Sequence, residues 1–189
     1  MTHNHPTPRL LLLPAELRDT VYTYALGGNV FSINHQGKAV CSPQNLNRLN
    51  LIFSSRQIHS EVRLHAYRLN TFSSSNTSWW LIFLCHRTQE QVVAIQSLQL
   101  FTYDAFGMSY TPWRSFKEED LQWLERMKGL KRIELLDYTG AAWGGRGKLD
   151  DMLKELAGEI WKWKREVEIT ARDDGGKWER ELGNGKVGW

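Results

Sequence analysis

Apolar residues recur at helical spacing in the first part of the chain and in short, partly alternating runs in the second. A first helix is expected to begin at Pro14, whose fixed φ and missing N–H suit the first helical position. It should end at Gly27-Gly28, which can take the left-handed conformation that follows a helix. Leu17, Val21, Tyr24 and Ala25 then share one face. Asn29 to Pro43 reads as a hairpin or loop, with Val30, Phe31 and Ile33 as its strand-like portion. Leu51, Ser55, Ile58, Val62, Ala66 and Leu69 recur at spacings of four and three, which predicts one long helix from about Leu46 to Leu69.

The second part alternates strands and helices. Strands are expected over Ile95–Tyr103, Lys131–Tyr138 and Glu166–Ala171. Between the first two, Ser115 and Glu118 have capping-box spacing, Arg126 and Lys128 stand in a last turn, and Gly129 follows, so a helix is expected there. Between the last two, a helix from about Lys148 to Trp163 presents Leu149, Met152, Leu153, Leu156, Ile160 and Trp163 on one face. Leu98, Ile133 and Val167 are 35 and 34 residues apart, long enough for a crossover helix each, which favours parallel strands. The fold expected is mixed α/β of the α+β class, a helical N-terminal module packed on a small β-α-β-α-β layer with short parallel strands. It forms a single domain, 1–189, with subregions 9–75, 76–172 and a frayed tail at 173–189.

Composition changes this picture little. A chain of 189 residues, 41% hydrophobic and 24% charged, is long and apolar enough for one core and excludes wholesale disorder. The net charge of +3 is too small to argue by itself for a polyanionic partner. Charge is unevenly spread: residues 1–110 hold 8 basic and 5 acidic side chains, residues 111–189 hold 16 of each. Cys41 and Cys85 cannot make a disulfide framework, and reduced intracellular thiols are expected, with the protein cytoplasmic or nuclear. Leu10–Leu13 is too short for a signal peptide and Trp79–Cys85 too short to span a bilayer, so no membrane association is expected.

Candidate chemistry is thin. Gly144-Gly145-Arg146-Gly147-Lys148 lies where a phosphate-cradling loop belongs, but Ala142 and Leu149 break the pattern; an anion site at Gly145, Gly147 and Lys148 stands as an enzymatic alternative. His59 and His65, about 600° apart around a helix, cannot share a metal, and no metal, cofactor or catalytic residue is nominated. Arg56, His59 and Arg63 share a stripe, and Trp161, Lys162, Lys164 and Arg165 interleave aromatic and basic groups; together they carry a nucleic-acid-binding alternative. Trp163 continues the apolar helix face and is better explained as core.

The segment Leu12-Leu13-Pro14-Ala15-Glu16-Leu17-Arg18, continuing to Val21-Tyr22 and Ala25-Leu26, resembles the L-P-x-E-[LI]-R opening of a large group of fungal F-box-like proteins, including the type named for two Glu-x-Arg triplets. Leu51 to Arg63, containing Ser55-Arg56-Gln57-Ile58, resembles that group's second segment, and Tyr67 with Asn70-Thr71-Phe72 resembles the Y-x-x-N-T-F strand that follows it. The likeness covers about residues 9–103. Two departures stand out: Ser55 replaces the usual Cys, and the stretch Gly27–Asn45 interrupts what would be a three-helix F-box. The resemblance implies an F-box-like helical module followed by a region that in some relatives is leucine-rich-repeat-like. It also implies a non-enzymatic role as substrate adaptor of a ubiquitin ligase, with the adaptor Skp1 and an unknown substrate protein as partners. Leu13, Pro14, Leu17, Val21 and Tyr22, with Glu16 and Arg18, would form the partner-binding helix face. Helical period alone does not distinguish such a face from intramolecular core, in which case Glu16, Arg18, Glu61 and Arg63 would pair the two helices.

Overall fold

Pro14 and the Gly27-Gly28 pair flank the first helix, although Pro14, at ψ 150°, stands just before the first helical position and not in it. In this computed structural model, which describes residues 9–41, 50–101, 121–137, 146–173 and 179–184, helix α1 spans Ala15–Leu26 with Pro14 at its N-cap. It is Gly28, at φ +76°, that takes the left-handed conformation. Gly27 is extended and permits close approach instead: a Cβ there would stand 2.7 Å from the Thr23 carbonyl oxygen and 3.3 Å from Leu69 Cβ. The face of α1 turned inward carries Tyr22 and Leu26, with Ala25 beside them; the expected face of Leu17, Val21 and Tyr24 is turned to solvent.

The long helix expected from Leu46 to Leu69 is broken. A 3-10 turn covers Asn50–Phe53, α2 covers Arg56–Val62, and a single turn, α3, covers His65–Arg68. Ser55 is the cause of the first break: it is extended, and its hydroxyl accepts from the Ile58 N–H at 3.1 Å, which caps α2 and ends helical continuity. The periodicity nevertheless survives, because Leu51, Ile58, Val62 and Ala66 still meet Tyr22 and Leu26. They form a small core that includes Ile52, Leu10 and Leu11.

Among the described residues the strands form one seven-stranded sheet. Its strands are β1 (Val30–Ile33), β2 (Ala39–Cys41), β3 (Thr71–Ser74), β4 (Ser97–Phe101), β5 (Arg132–Asp137), β6 (Glu168–Asp173) and β7 (Glu179–Asn184), in the order β2-β1-β3-β4-β5-β6-β7. The five central strands are parallel, and β2 and β7 close the edges antiparallel. The fold is therefore mixed α+β. Leu98 pairs with Ile133 as the spacing implied, but Ile133 pairs with Ile169 and not Val167. Strands β1 and β3 belong to the same sheet, so the subregion boundary at 75/76 falls between two hydrogen-bonded neighbours, β3 and β4. The tail expected to fray contributes β7, whose Leu182 is buried.

Sheet register decides where the helices pack. The row Phe31, Phe72, Leu98, Ile133, Ile169 lies on one face and joins a single large core with Trp80, Phe83, Val92, Leu124, Leu156 and Ile160. These last come from α4 (Thr77–Cys85), α5 (Gln89–Ala94), the 3-10 turn Gln122–Arg126 and α6 (Arg146–Trp163), all drawn to that one face. The row behind it, Ser32, Ser73, Gln99, Glu134, Thr170, is polar, and Gln99 donates to Glu134 across β4 and β5. Asn76 of the Asn-Thr-Ser triplet caps α4, accepting from the Ser78 N–H at 2.8 Å. The cap expected at Ser115 lies outside the described residues.

Two asparagines join the small core to the sheet. Asn70 Oδ1 accepts from the Asn29 N–H at 2.8 Å and from Asn29 Nδ2 at 2.9 Å. Asn70 Nδ2 donates to the carbonyls of Leu26 at 2.8 Å and Ala66 at 2.9 Å, and Asn29 Nδ2 donates again to Leu26 O. These carbonyls lie at the ends of α1 and α3, where helices lack internal donors. Both side chains are buried. Replacing Asn70 by Ala leaves the Asn29 N–H and the Ala66 carbonyl without these partners, at roughly 1–3 kcal/mol for each buried group. Urea unfolding of Asn70→Ala should therefore show a loss of about 2–6 kcal/mol; a loss below about 0.5 kcal/mol, the range of an ordinary surface substitution, would refute the joint.

Candidate functional site

Helix α1 carries two apolar stripes, and only one is used by the core. Tyr22 is 2% exposed, whereas Leu13 is 37%, Val21 39%, Leu17 53% and Tyr24 83% exposed. Positions 17, 21 and 24 follow helical spacing, so these three side chains form a strip along the outer side of α1. Leu12 and Leu13 are also exposed, in the turn that precedes the helix. Of the residues expected to face a partner, Leu13, Pro14, Glu16, Leu17 and Val21 are on the surface. Tyr22 is not: one position from Val21 is about 100° around the helix, which carries it into the small core. Tyr24, expected on the apolar face but not among the partner contacts, belongs to the strip.

Arg18 faces inward too, and its role is to fix α1 on α2. Its Nε and Nη2 donate to Glu61 Oε2 and Oε1 at 3.0 and 2.8 Å, a bidentate pair. The Tyr22 hydroxyl donates to Glu61 Oε2 at 2.8 Å, and Gln57 Nε2 to Oε1 at 3.1 Å. Arg18 Nη1 reaches back to the Leu13 carbonyl at 2.6 Å, which anchors the turn that presents Leu12 and Leu13. One half of the expected interhelical pairing is thus present. Arg63 pairs instead with Glu90 of α5 at 2.9 Å, and Asp19 of α1 meets His65 Nε2 at 2.7 Å.

The alternative sites fare differently. Gly145 lies outside the described residues; α6 begins at Arg146, so Gly147 and Lys148 stand in the first turn of a helix and not in a loop. Arg56 and His59 are exposed on α2. Trp161 is partly buried against the large core and its indole N–H donates to the Val167 carbonyl at 3.1 Å; Trp163 packs against the same core. Lys162 pairs with Glu159 at 2.7 Å, and burial lowers the pKa of Lys164. Arg165 is exposed. Both aromatic members of that cluster are therefore at least partly engaged in packing. Among the described residues no group of three His, Cys, Asp or Glu side chains could hold a metal ion, and no helix is long and apolar enough to cross a membrane. Cys41 is buried and Cys85 exposed, both as free thiols.

No family profile, no curated protein and no solved structure matches the chain.

The hydrogen bond from Arg18, followed by that from Tyr22, lowers the Glu61 pKa from 4.5 to about 2. Because the folded value lies below the unfolded one, the charged carboxylate stabilises the fold, in full above about pH 4.5 and progressively less as pH falls toward 2. Glu61→Gln should remove most of the acid-induced drop in urea midpoint across that window. An unchanged pH profile in the variant would show that the Arg18–Glu61 pair does not couple folding to protonation.

Proposed function

We propose that this protein is a non-enzymatic interaction module whose partner docks on the outer strip of α1. The observation that carries the reading is the exposure of Leu17, Val21 and Tyr24 on a helix whose opposite side already seals a core, with Leu13 exposed just before it. Apolar side chains at such helical spacing are the usual anchors of a helix lying in a partner's groove. The strip also sits on the L-P-x-E-L-R segment that resembles the F-box-like helix, so an adaptor of the Skp1 type is the partner proposed, with the protein acting as a substrate adaptor of a ubiquitin ligase. The Arg18–Glu61 pair supports the same reading, because it anchors α1 from behind while leaving the strip free for binding.

The test is co-purification with fungal Skp1 of wild type and of a Leu17→Asp, Val21→Asp variant. Both positions are on the surface, so the variant should keep its circular dichroism spectrum and unfolding midpoint to within about 0.5 kcal/mol. Losing two central anchors should weaken the complex by at least about 2 kcal/mol, roughly thirtyfold. Binding should vary little with salt, as an apolar interface does, in contrast to phosphate-backbone binding. Failure of wild type to retain Skp1 would remove this partner. Retention by the variant at wild-type strength would remove the strip as the docking site.

A further inference from the structure

A cleft of about 400 Å³ opens between the small core and the large one. Its volume lies within the range of small-molecule sites, roughly 300–1,000 Å³. Ile52 and Ala66 contribute one wall from the small core, and Phe31, Tyr67, Phe72 and Phe83 contribute an aromatic wall opposite. The Phe72 ring is central: it stacks on Phe31 at 5.5 Å and on Tyr67 at 5.8 Å, and contacts Phe83 at 5.4 Å. The planes are nearly parallel in each pair, inclined by 21° and 15°, so Phe72 is stacked between Phe31 and Tyr67 and the wall meets the cleft mainly through apolar ring edges.

Among the described residues the same cleft is lined by three basic side chains and by no acid. Arg63 is compensated by Glu90 and His59 stands on the exposed side of α2. Arg87 is different. Its guanidinium carbon lies 4.7 Å from the centre of the Phe83 ring, and its Nη1 donates to the His86 carbonyl at 3.1 Å. Its Nε is buried with no hydrogen-bond partner, and among the described residues no carboxylate forms an ion pair with it. A buried N–H of a cation without an acceptor is unfavourable, and the Nε and Nη2 edge is the fork that matches a carboxylate. The guanidinium that lines the cleft therefore keeps donor capacity for an anionic acceptor.

We infer that the cleft binds a small aromatic carboxylate, its ring against the Phe31, Tyr67, Phe72, Phe83 wall and its carboxylate on Arg87. This is independent of the docking strip on α1. The experiment is calorimetric titration of the full chain with 2-naphthoate and with 2-naphthylmethanol, which has the same ring and no charge. Wild type should bind naphthoate at least about tenfold more tightly than the alcohol, as a charge-assisted bond requires. Arg87→Met, which keeps the apolar stem over Phe83, should lose that preference and leave the alcohol unaffected. Ala39→Phe, which fills the cleft from β2, should abolish both, with thermal unfolding reporting whether it folds. If it does not fold, the Arg87→Met comparison still decides. The inference is overturned by no saturable binding of naphthoate up to about 1 mM, the weak end of specific affinity, by equal affinity for the two probes, or by naphthoate binding that Arg87→Met leaves unchanged.

Discussion

The constraint on which the rest of the structure depends is the need to satisfy helix-end carbonyls and a strand-start N–H at one buried point. The backbone of Leu26, Asn29, Ala66 and Asn70 converges where α1 ends, α3 ends, and β1 and β3 begin. Each of these elements presents polar groups there that secondary structure alone cannot pair. Two amide side chains are the economical solution, because each supplies donors and acceptors on one short stem. Around them, Gly28 donates to the Leu69 carbonyl at 3.1 Å and Thr71 to the Asn29 carbonyl at 2.9 Å. That fixes β1 against β3 in register, Val30 opposite Thr71; β4 then adds to β3, and β5 and β6 follow in turn. Asn29 Oδ1 alone has no partner at this joint.

Much of the sheet was legible from sequence because its signal is short-range. Leu98 and Leu100, Ile133 and Leu135, and Ile169 and Ala171 alternate with polar neighbours, and the gaps between them are long enough for crossovers. The strands of the first half were less so. Thr71-Phe72-Ser73-Ser74 carries only one large apolar residue and could not declare itself a central strand by pattern, although it is β3. Its polar residues are tolerated because the Thr71 hydroxyl meets Ser97 at 3.1 Å and the Ser74 hydroxyl meets the Asn76 carbonyl at 2.9 Å. The tail was misread for a similar reason. Glu179 to Asn184 is nearly all polar, and it becomes a strand by pairing on an edge, which burial of Leu182 helps to secure.

The candidate site was half legible. The spacing identified an apolar stripe on α1, but α1 has two stripes, and which one faces the core depends on residues some forty positions away. Arg18 and Tyr22 are drawn inward because Glu61 waits there with acceptors for both, and that leaves Leu17, Val21 and Tyr24 outward. No local rule separates these outcomes: Tyr22 and Tyr24 are the same residue type two positions apart. The Glu-x-Arg triplets did point to the contact, though crosswise, since the first triplet's arginine meets the second triplet's glutamate. The cleft was illegible, as Arg87 and Phe72 come together only once α4 folds back on the sheet.

The energetics of the two stripes argue for a role beyond folding. Burying a large apolar side chain stabilises a fold by about 1.5–3 kcal/mol, and Leu26 and Tyr22 collect that gain. Leu17, Val21 and Tyr24 collect little of it, yet they stand in a row and not singly, and a row is what distinguishes a recognition surface from ordinary exposed apolar residues. Folding alone would be served as well by polar residues at these three positions, because the Arg18, Tyr22 and Glu61 contacts already hold α1 in place. A partner would turn the same side chains into burial, and α1 would enter such a complex already ordered, without the entropic cost that a disordered segment bears on binding.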